Sequence, residues 1–130
     1  MNRKGFTLVE IMIVVAIIAL LAAIAIPNLL RAKISANDAL AQSTLRTIST
    51  AAETFGTANS GNYPGAIASL TTATPPYLNS AYCSTTTAGY GYLCTFDKDA
   101  GYTLTAIPVT RGTTGSSTFT MTTGGVLTSS

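Results

Sequence analysis

At 130 residues and 13.3 kDa, with 47% hydrophobic against only 9% charged residues and a formal net charge of +2, the chain has the balance of a membrane segment joined to one small polar domain. It does not have the balance of a cytosolic enzyme. Histidine and tryptophan are absent, which removes histidine-based triads, histidine metal sites and the commonest general base.

In chain order, a short basic opening, MNRKG, gives way to a long apolar run. Residues 11–26 include no polar side chain, and residues 6–26 are interrupted only by Thr7 and Glu10. As a helix, those 21 residues reach about 32 Å at ~1.5 Å per residue, enough for a bilayer core of roughly 30 Å. Helix is expected because hydrocarbon offers no partner for an unbonded backbone group. Pro27 follows, and its ring and missing N–H predict a kink or local unwinding over Ala23 to Pro27 without ending the helix. Beyond it, Leu30, Ile34, Ala41, Leu45, Ile48, Ala52 and Phe55 recur at helical spacing, and Arg31, Lys33, Asp38, Gln42, Arg46 and Glu53 are assigned to the opposite face. The helix is expected from about Phe6 to Phe55, with Gly56 as its stop.

From Thr57 the composition turns to Gly, Pro, Ser, Thr and Tyr. Segments 90–96, 102–109 and 118–123 alternate or run apolar between turn-rich linkers, which predicts an antiparallel meander covered on one face by the amphipathic helix. A short turn of helix is expected at 66–70, within an irregular connection. All six tyrosines fall after residue 57 and are expected in the core and at loop anchors. Cys83 and Cys94 are too far apart for a C-x-x-C motif, and a disulfide formed in an oxidising compartment fits better than two free buried thiols. Asp97 and Asp99 in DKDAG read as a turn, and no metal or other cofactor is expected.

The opening MNRKG followed by FTLVE and the apolar run resembles the class III signal of type IV prepilins and type II secretion pseudopilins, closely over residues 1–30 and loosely beyond. The resemblance implies cleavage between Gly5 and Phe6 by a membrane-embedded prepilin peptidase, and N-methylation of the new Phe6 amine. It also implies that Glu10, with Thr7 beside it, serves assembly: the carboxylate would neutralise the Phe6 amine of a neighbouring subunit. The physics agrees. Glycine presents no Cβ to a protease cleft, Arg3 and Lys4 hold the leader at an anionic cytoplasmic surface, and a lone carboxylate in a spanning segment calls for a partner. Taking Arg3 and Lys4 from the seven basic residues leaves five, equal to the five acidic ones. A neutral chain favours self-association, and no specific nucleic-acid binding is evident.

The expected fold class is therefore α+β, a long N-terminal helix packed on a small antiparallel sheet. The expected divisions are a leader (1–5), a transmembrane and assembly helix (6–27), the amphipathic helix of the head (28–56) and a β-sheet head (57–130). The expected function is a non-enzymatic subunit of a type IV pilus, embedded in the inner membrane as a precursor and then part of an extracellular helical filament serving adhesion, motility or DNA uptake. Its expected partners are copies of itself, the prepilin peptidase and the assembly machinery. One rival is the major pseudopilin of a secretion system, with a periplasmic location. Another is a secreted soluble protein released by ordinary signal cleavage after Ala25, where Ala23-Ile24-Ala25 offers an A-x-A-like site.

Overall fold

A computed structural model describes Met1 and residues 4–130; Arg3 of the expected leader lies outside the described residues. The chain forms two compact units, Met1–Lys33 and Ile34–Ser130. Helix α1 (Leu8–Ala58) is continuous in the backbone through Pro27. Helix α2 (Ala68–Thr71) follows, then strands β1 (Thr86–Thr87), β2 (Tyr90–Asp97), β3 (Gly101–Pro108), β4 (Phe119–Thr122) and β5 (Val126–Ser129). The five strands form one antiparallel sheet in the order β1-β2-β3-β4-β5. The α+β class and the meander stand as expected, and the sheet gains two short flanking strands that carry little periodicity of their own.

Within Ile34–Ser130 the helical apolar stripe and the sheet make one core. Ala41, Leu45, Ile48 and Ala52 are fully buried with Tyr90, Leu104, Ala106 and Met121. Side chains alternate across the pleat, so Tyr90, Tyr92, Tyr102, Leu104, Ala106, Phe119 and Met121 face inward. The outward face is rich in threonine. Register places Thr95, Thr103 and Thr122 in one cross-strand row and Thr105, Thr120 and Thr128 in the next, with Leu93 and Ile107 exposed beside them. Leu30 was expected on the buried stripe and is instead 42% exposed, in the first unit.

Two expectations about α1 change. Gly56 does not stop the helix. It is buried, and the Tyr63 ring packs beside it, where a Cβ would stand in ordinary contact at 3.4 Å. The stop comes later, where Ser60 and Gly61 adopt positive φ and the Gly61 N–H returns to the Gly56 carbonyl at 2.8 Å. Asp38 and Glu53, assigned to the solvent face, instead hold the sheet. Asp38 accepts hydrogen bonds from the Tyr90 hydroxyl (2.7 Å), the Ser116 amide (3.0 Å) and the Ser116 hydroxyl. Glu53 accepts from the Tyr102 hydroxyl (2.8 Å), the Tyr63 hydroxyl (3.1 Å) and the Gly124 amide (2.7 Å). Periodicity assigns a charged residue outward because it counts polarity alone. It does not register that tyrosines, apolar along the ring and polar at the tip, can meet a carboxylate at the margin of a core.

These contacts have electrostatic consequences. Burial disfavours the charged form of Asp38, but hydrogen bonds from the Ser116 side chain, Tyr90 and the Ser116 amide outweigh it and hold the carboxyl below its ordinary value. Glu53 is likewise held low, burial being outweighed by Tyr102, the Gly124 amide and Tyr63. Burial, with Glu53 adjacent, pushes the Tyr102 hydroxyl up to about 12.

The loops are fitted closely to this core. Cys83 and Cys94 form a disulfide with Cα atoms 5.5 Å apart, tying the segment before β1 to β2. Gly101 has φ +103°, and a Cβ there would lie 1.9 Å from Thr123 Oγ1, so no other residue fits that turn without displacing the β4–β5 connection.

Two outcomes follow for the full chain in detergent. Depressed carboxyl values in the folded state mean that the stability from Asp38 and Glu53 is complete above their unfolded-state values near about 4 and is lost as pH falls through the folded-state values. Thermal melts should therefore be flat from neutral pH to about 5 and fall below about 4. Glu53→Gln should lower stability by about 1–2 kcal/mol at neutral pH and reduce that acid dependence; an unchanged pH profile in this variant would contradict the assignment. Reduction of the Cys83–Cys94 bond should cost about 3 kcal/mol in the chain-entropy picture, read as a lower melting temperature with and without reductant.

Candidate processing and assembly segment

Residues 4–7 precede the first helical residue, Leu8, and Phe6 is 85% exposed. Among the described residues, and its chain neighbours apart, no group lies within 4 Å of a Cβ built at Gly5. The Gly5–Phe6 peptide bond is thus non-helical and open on its glycine side. A protease must bind its substrate extended, and a bond inside a helix would first have to be unwound at the cost of its hydrogen bonds.

Thr7 and Glu10 are brought together as a capping box at the start of α1. The Glu10 amide donates to Thr7 Oγ1 at 3.2 Å. In return, Glu10 Oε2 accepts the Thr7 amide at 2.7 Å and the Thr7 hydroxyl at 2.8 Å. Thr7 is the cap, Glu10 is the third residue of the first turn, and the Ile11 amide closes that turn on the Thr7 carbonyl at 3.3 Å. The negative carboxylate also sits at the positive end of the helix dipole. Oε1 of Glu10 accepts no hydrogen bond among the described residues. One oxygen of the carboxylate is therefore engaged with its own helix while the other is open to a further donor.

The T-L-V-E tetrapeptide carries the sequence signature of this box, so the pairing could have been read from spacing alone. It is eclipsed there by the apolar run behind it, which presents Glu10 as a solitary charge. The box lowers the cost of placing that charge beside hydrocarbon, because the two hydrogen bonds that the carboxylate accepts replace part of its hydration.

The apolar side chains that follow are exposed, among them Ile11 (51%), Ile17 (53%), Leu20 (64%) and Ile26 (65%). Among the described residues, α1 is the one helix long and apolar enough to cross a membrane. Pro27 lies inside α1 in this same unit, apart from the Thr7–Glu10 pair. Cys83 and Cys94 lie in the other unit as a disulfide. Among the described residues, no three His, Cys, Asp or Glu side chains are grouped to hold a metal. Asp97 instead accepts the Ala100 and Asp99 amides, each at 2.9 Å, and these bonds hold its carboxyl below the ordinary value.

Comparison with known proteins bears on this segment. Residues 1–26 match the family described as the prokaryotic N-terminal methylation motif. The chain is 68% identical over 37 residues to the type IV wide pilus major component PilA4 of Thermus thermophilus, a match covering 28% of each chain. It is 48% identical over 54 residues to the type IV major pilin protein PilA of Myxococcus xanthus, covering 42% of this chain and 24% of the relative. The chain thus spans about a quarter of the length of these relatives in the matched stretches. No solved structure matches the chain significantly. The segment that holds the Gly5–Phe6 bond, the Thr7–Glu10 box and the start of the apolar run thus lies within the stretch that carries the prokaryotic N-terminal methylation motif.

Proposed function

We propose that this chain is a structural subunit of a type IV pilus, and that it is inserted in the inner membrane by residues 6–27. In this reading it is cut between Gly5 and Phe6, methylated at the Phe6 amine, and assembled into an extracellular helical filament that serves adhesion, motility or DNA uptake. The observation that carries the proposal is the exposed apolar helix of α1 with one carboxylate near its start. In the membrane this segment is solvated by lipid. In the filament, equivalent segments of neighbouring copies replace the lipid, and the exchange is nearly neutral for Ile, Leu, Val and Ala because the two surroundings are similarly apolar.

Direction and register then come from charge. Cleavage frees the Phe6 amine, and the open Oε1 of Glu10 is the acceptor for the amine of an adjacent copy. Glu10 follows Phe6 by four residues, about 6 Å along a helix axis, so this pairing requires an axial offset of that order between subunits. An offset repeated in one sense never closes on itself and builds a filament. The Thr7–Glu10 box holds the carboxylate at the helix start, which limits the rotamer entropy lost on pairing.

The head then divides from the assembly helix near Pro27, with residues 28–56 serving as the amphipathic part of the helix and 57–130 as the sheet-bearing part. Peptidase and assembly machinery are the partners this reading requires. A pseudopilin role is not favoured, since both relatives named above are pilus components. Release by cleavage after Ala25 would cut α1 inside an unbroken helical stretch.

Mass spectrometry of the mature subunit should find an N-terminus at Phe6 bearing one methyl group; an N-terminus at Ile26 would overturn the reading. Glu10→Ala should leave membrane insertion and leader cleavage intact while cutting filament yield about tenfold or more, since an amine left unpaired among apolar helices costs several kcal/mol. Normal yield from that variant, counted by electron microscopy, would remove Glu10 from the assembly role.

A further inference from the structure

Beside the C-terminal end of α1 lies a groove of about 540 Å³, bounded by the last turn of the helix, the loop that follows it, and the β2–β3 turn. Two aromatic residues, Phe55 and Tyr63, contribute to its wall, and each is half-buried and packed on another ring. Phe55 packs edge-on to Tyr77 at 5.5 Å between centroids, and Tyr63 edge-on to Tyr102 at 5.8 Å. The two walls are joined through the backbone, where the Tyr63 amide donates to the Lys98 carbonyl at 3.0 Å. Gly65 lets the Lys98 stem lie across the loop, since a Cβ there would stand 3.1 Å from Lys98 Cε.

The polar groups of the groove are oriented and still have capacity to bond. The Asn59 side-chain amide donates from Nδ2 to the Phe55 carbonyl at 2.8 Å, and Asn62 donates from Nδ2 to the Asn59 carbonyl at 3.0 Å. Each amide is thereby turned, and neither Oδ1 accepts a hydrogen bond among the described residues. The Lys98 ammonium and the Asp99 carboxylate line the same groove, and their side chains make no hydrogen bond among those residues.

This set selects a class of ligand by chemistry. The ammonium and the carboxylate cancel, so a phosphate would meet Asp99 and a metal ion would meet Lys98, each at a cost. A neutral ligand with many hydroxyl groups suits all of the polar groups at once. Its hydroxyls can donate to Asn59 Oδ1, Asn62 Oδ1 and Asp99 and accept from Lys98, while an apolar C–H face rests on an aromatic ring already fixed by its neighbours. Pyranose rings have this character. We propose that the groove is a binding site for neutral oligosaccharides, formed by the head alone and independent of filament assembly.

The test uses the full chain, isotopically labelled, in a phosphocholine detergent so that no glucoside competes. Chitotriose and maltotriose are titrated in turn, followed by inorganic phosphate and calcium, with amide chemical shifts as the readout. At least one trisaccharide should shift the amides of Asn62, Lys98 and Asp99 saturably. Asn62→Ala and Asp99→Ala should each weaken that binding about tenfold, the scale of one hydrogen bond to a well-placed acceptor, while the remaining spectrum stays unchanged. Silence toward both trisaccharides, tighter binding of phosphate or calcium by the same amides, or undiminished affinity in both variants would overturn the assignment. Both variants should still assemble filaments, which separates failure here from failure of the assembly reading.

Discussion

Between Ile11 and Ile26 the backbone amides are bonded within the helix, while the side chains are apolar and nearly all exposed. Water is a poor solvent for such a rod, at roughly 25 cal/mol for every Å² of apolar surface. The segment must be covered by lipid or by other apolar helices, and either environment forbids an unbonded backbone and penalises a lone charge. The features around it answer those two demands. The Thr7–Glu10 box satisfies amides that a helix start would otherwise leave orphaned, and it reduces the charge problem to one open carboxylate oxygen.

The later part of the same helix solves a different problem. A sheet of short strands must be packed on one face by a single helix, and the buried residues of the helix are small at several points: Ala41, Ser49, Ala51, Ala52 and Gly56. Small side chains leave room for tyrosine rings from the sheet and loops. Those rings end in hydroxyls that cannot be buried unpaired at low cost, and Asp38 and Glu53 receive them. Two carboxylates on the helix thus meet tyrosines of β2 and β3, and each also binds the backbone of a loop, Ser116 for Asp38 and Gly124 for Glu53. Tyr92 is the exception. It is buried, and its hydroxyl has no partner within the described residues.

The division between covered and uncovered surface is equally sharp in the sheet. Its inward face is aromatic and aliphatic, whereas its outward face is a lattice of threonines with Leu93, Ile107 and Val109 exposed near its β1 side. A β-branched hydroxyl residue favours the extended backbone and remains compatible with water, which lets a small sheet keep its strand propensity without requiring a second layer. Along α1, the hydroxyls of Thr44, Thr47, Thr50, Thr54 and Thr57 instead return to carbonyls four residues earlier, so the same residue type is accommodated in a helix by internal bonding.

By itself the sequence determined whatever depends on one-dimensional pattern. The apolar run and its length set a helix long and apolar enough to cross a membrane, the three- and four-residue spacing from Ala41 to Phe55 set the buried stripe, although Leu30, read on the same stripe, is exposed, and alternation from Tyr90 onward set the central strands. The GFTLVE opening marked the capping box and the bond proposed for processing because their chemistry is local, all within six positions. Tertiary structure alone decided what Asp38 and Glu53 do, since the groups they meet lie up to 78 residues away for Asp38 and 71 for Glu53, and no spacing rule reaches so far. It also decided the end of α1, where Ser60 and Gly61 turn to positive φ, and the short strands β1 and β5, which are held by their neighbours and have too few residues to show a period. Pattern is readable where a residue answers to its own helix or strand, and it falls silent where a residue answers to a distant side chain brought near by the fold.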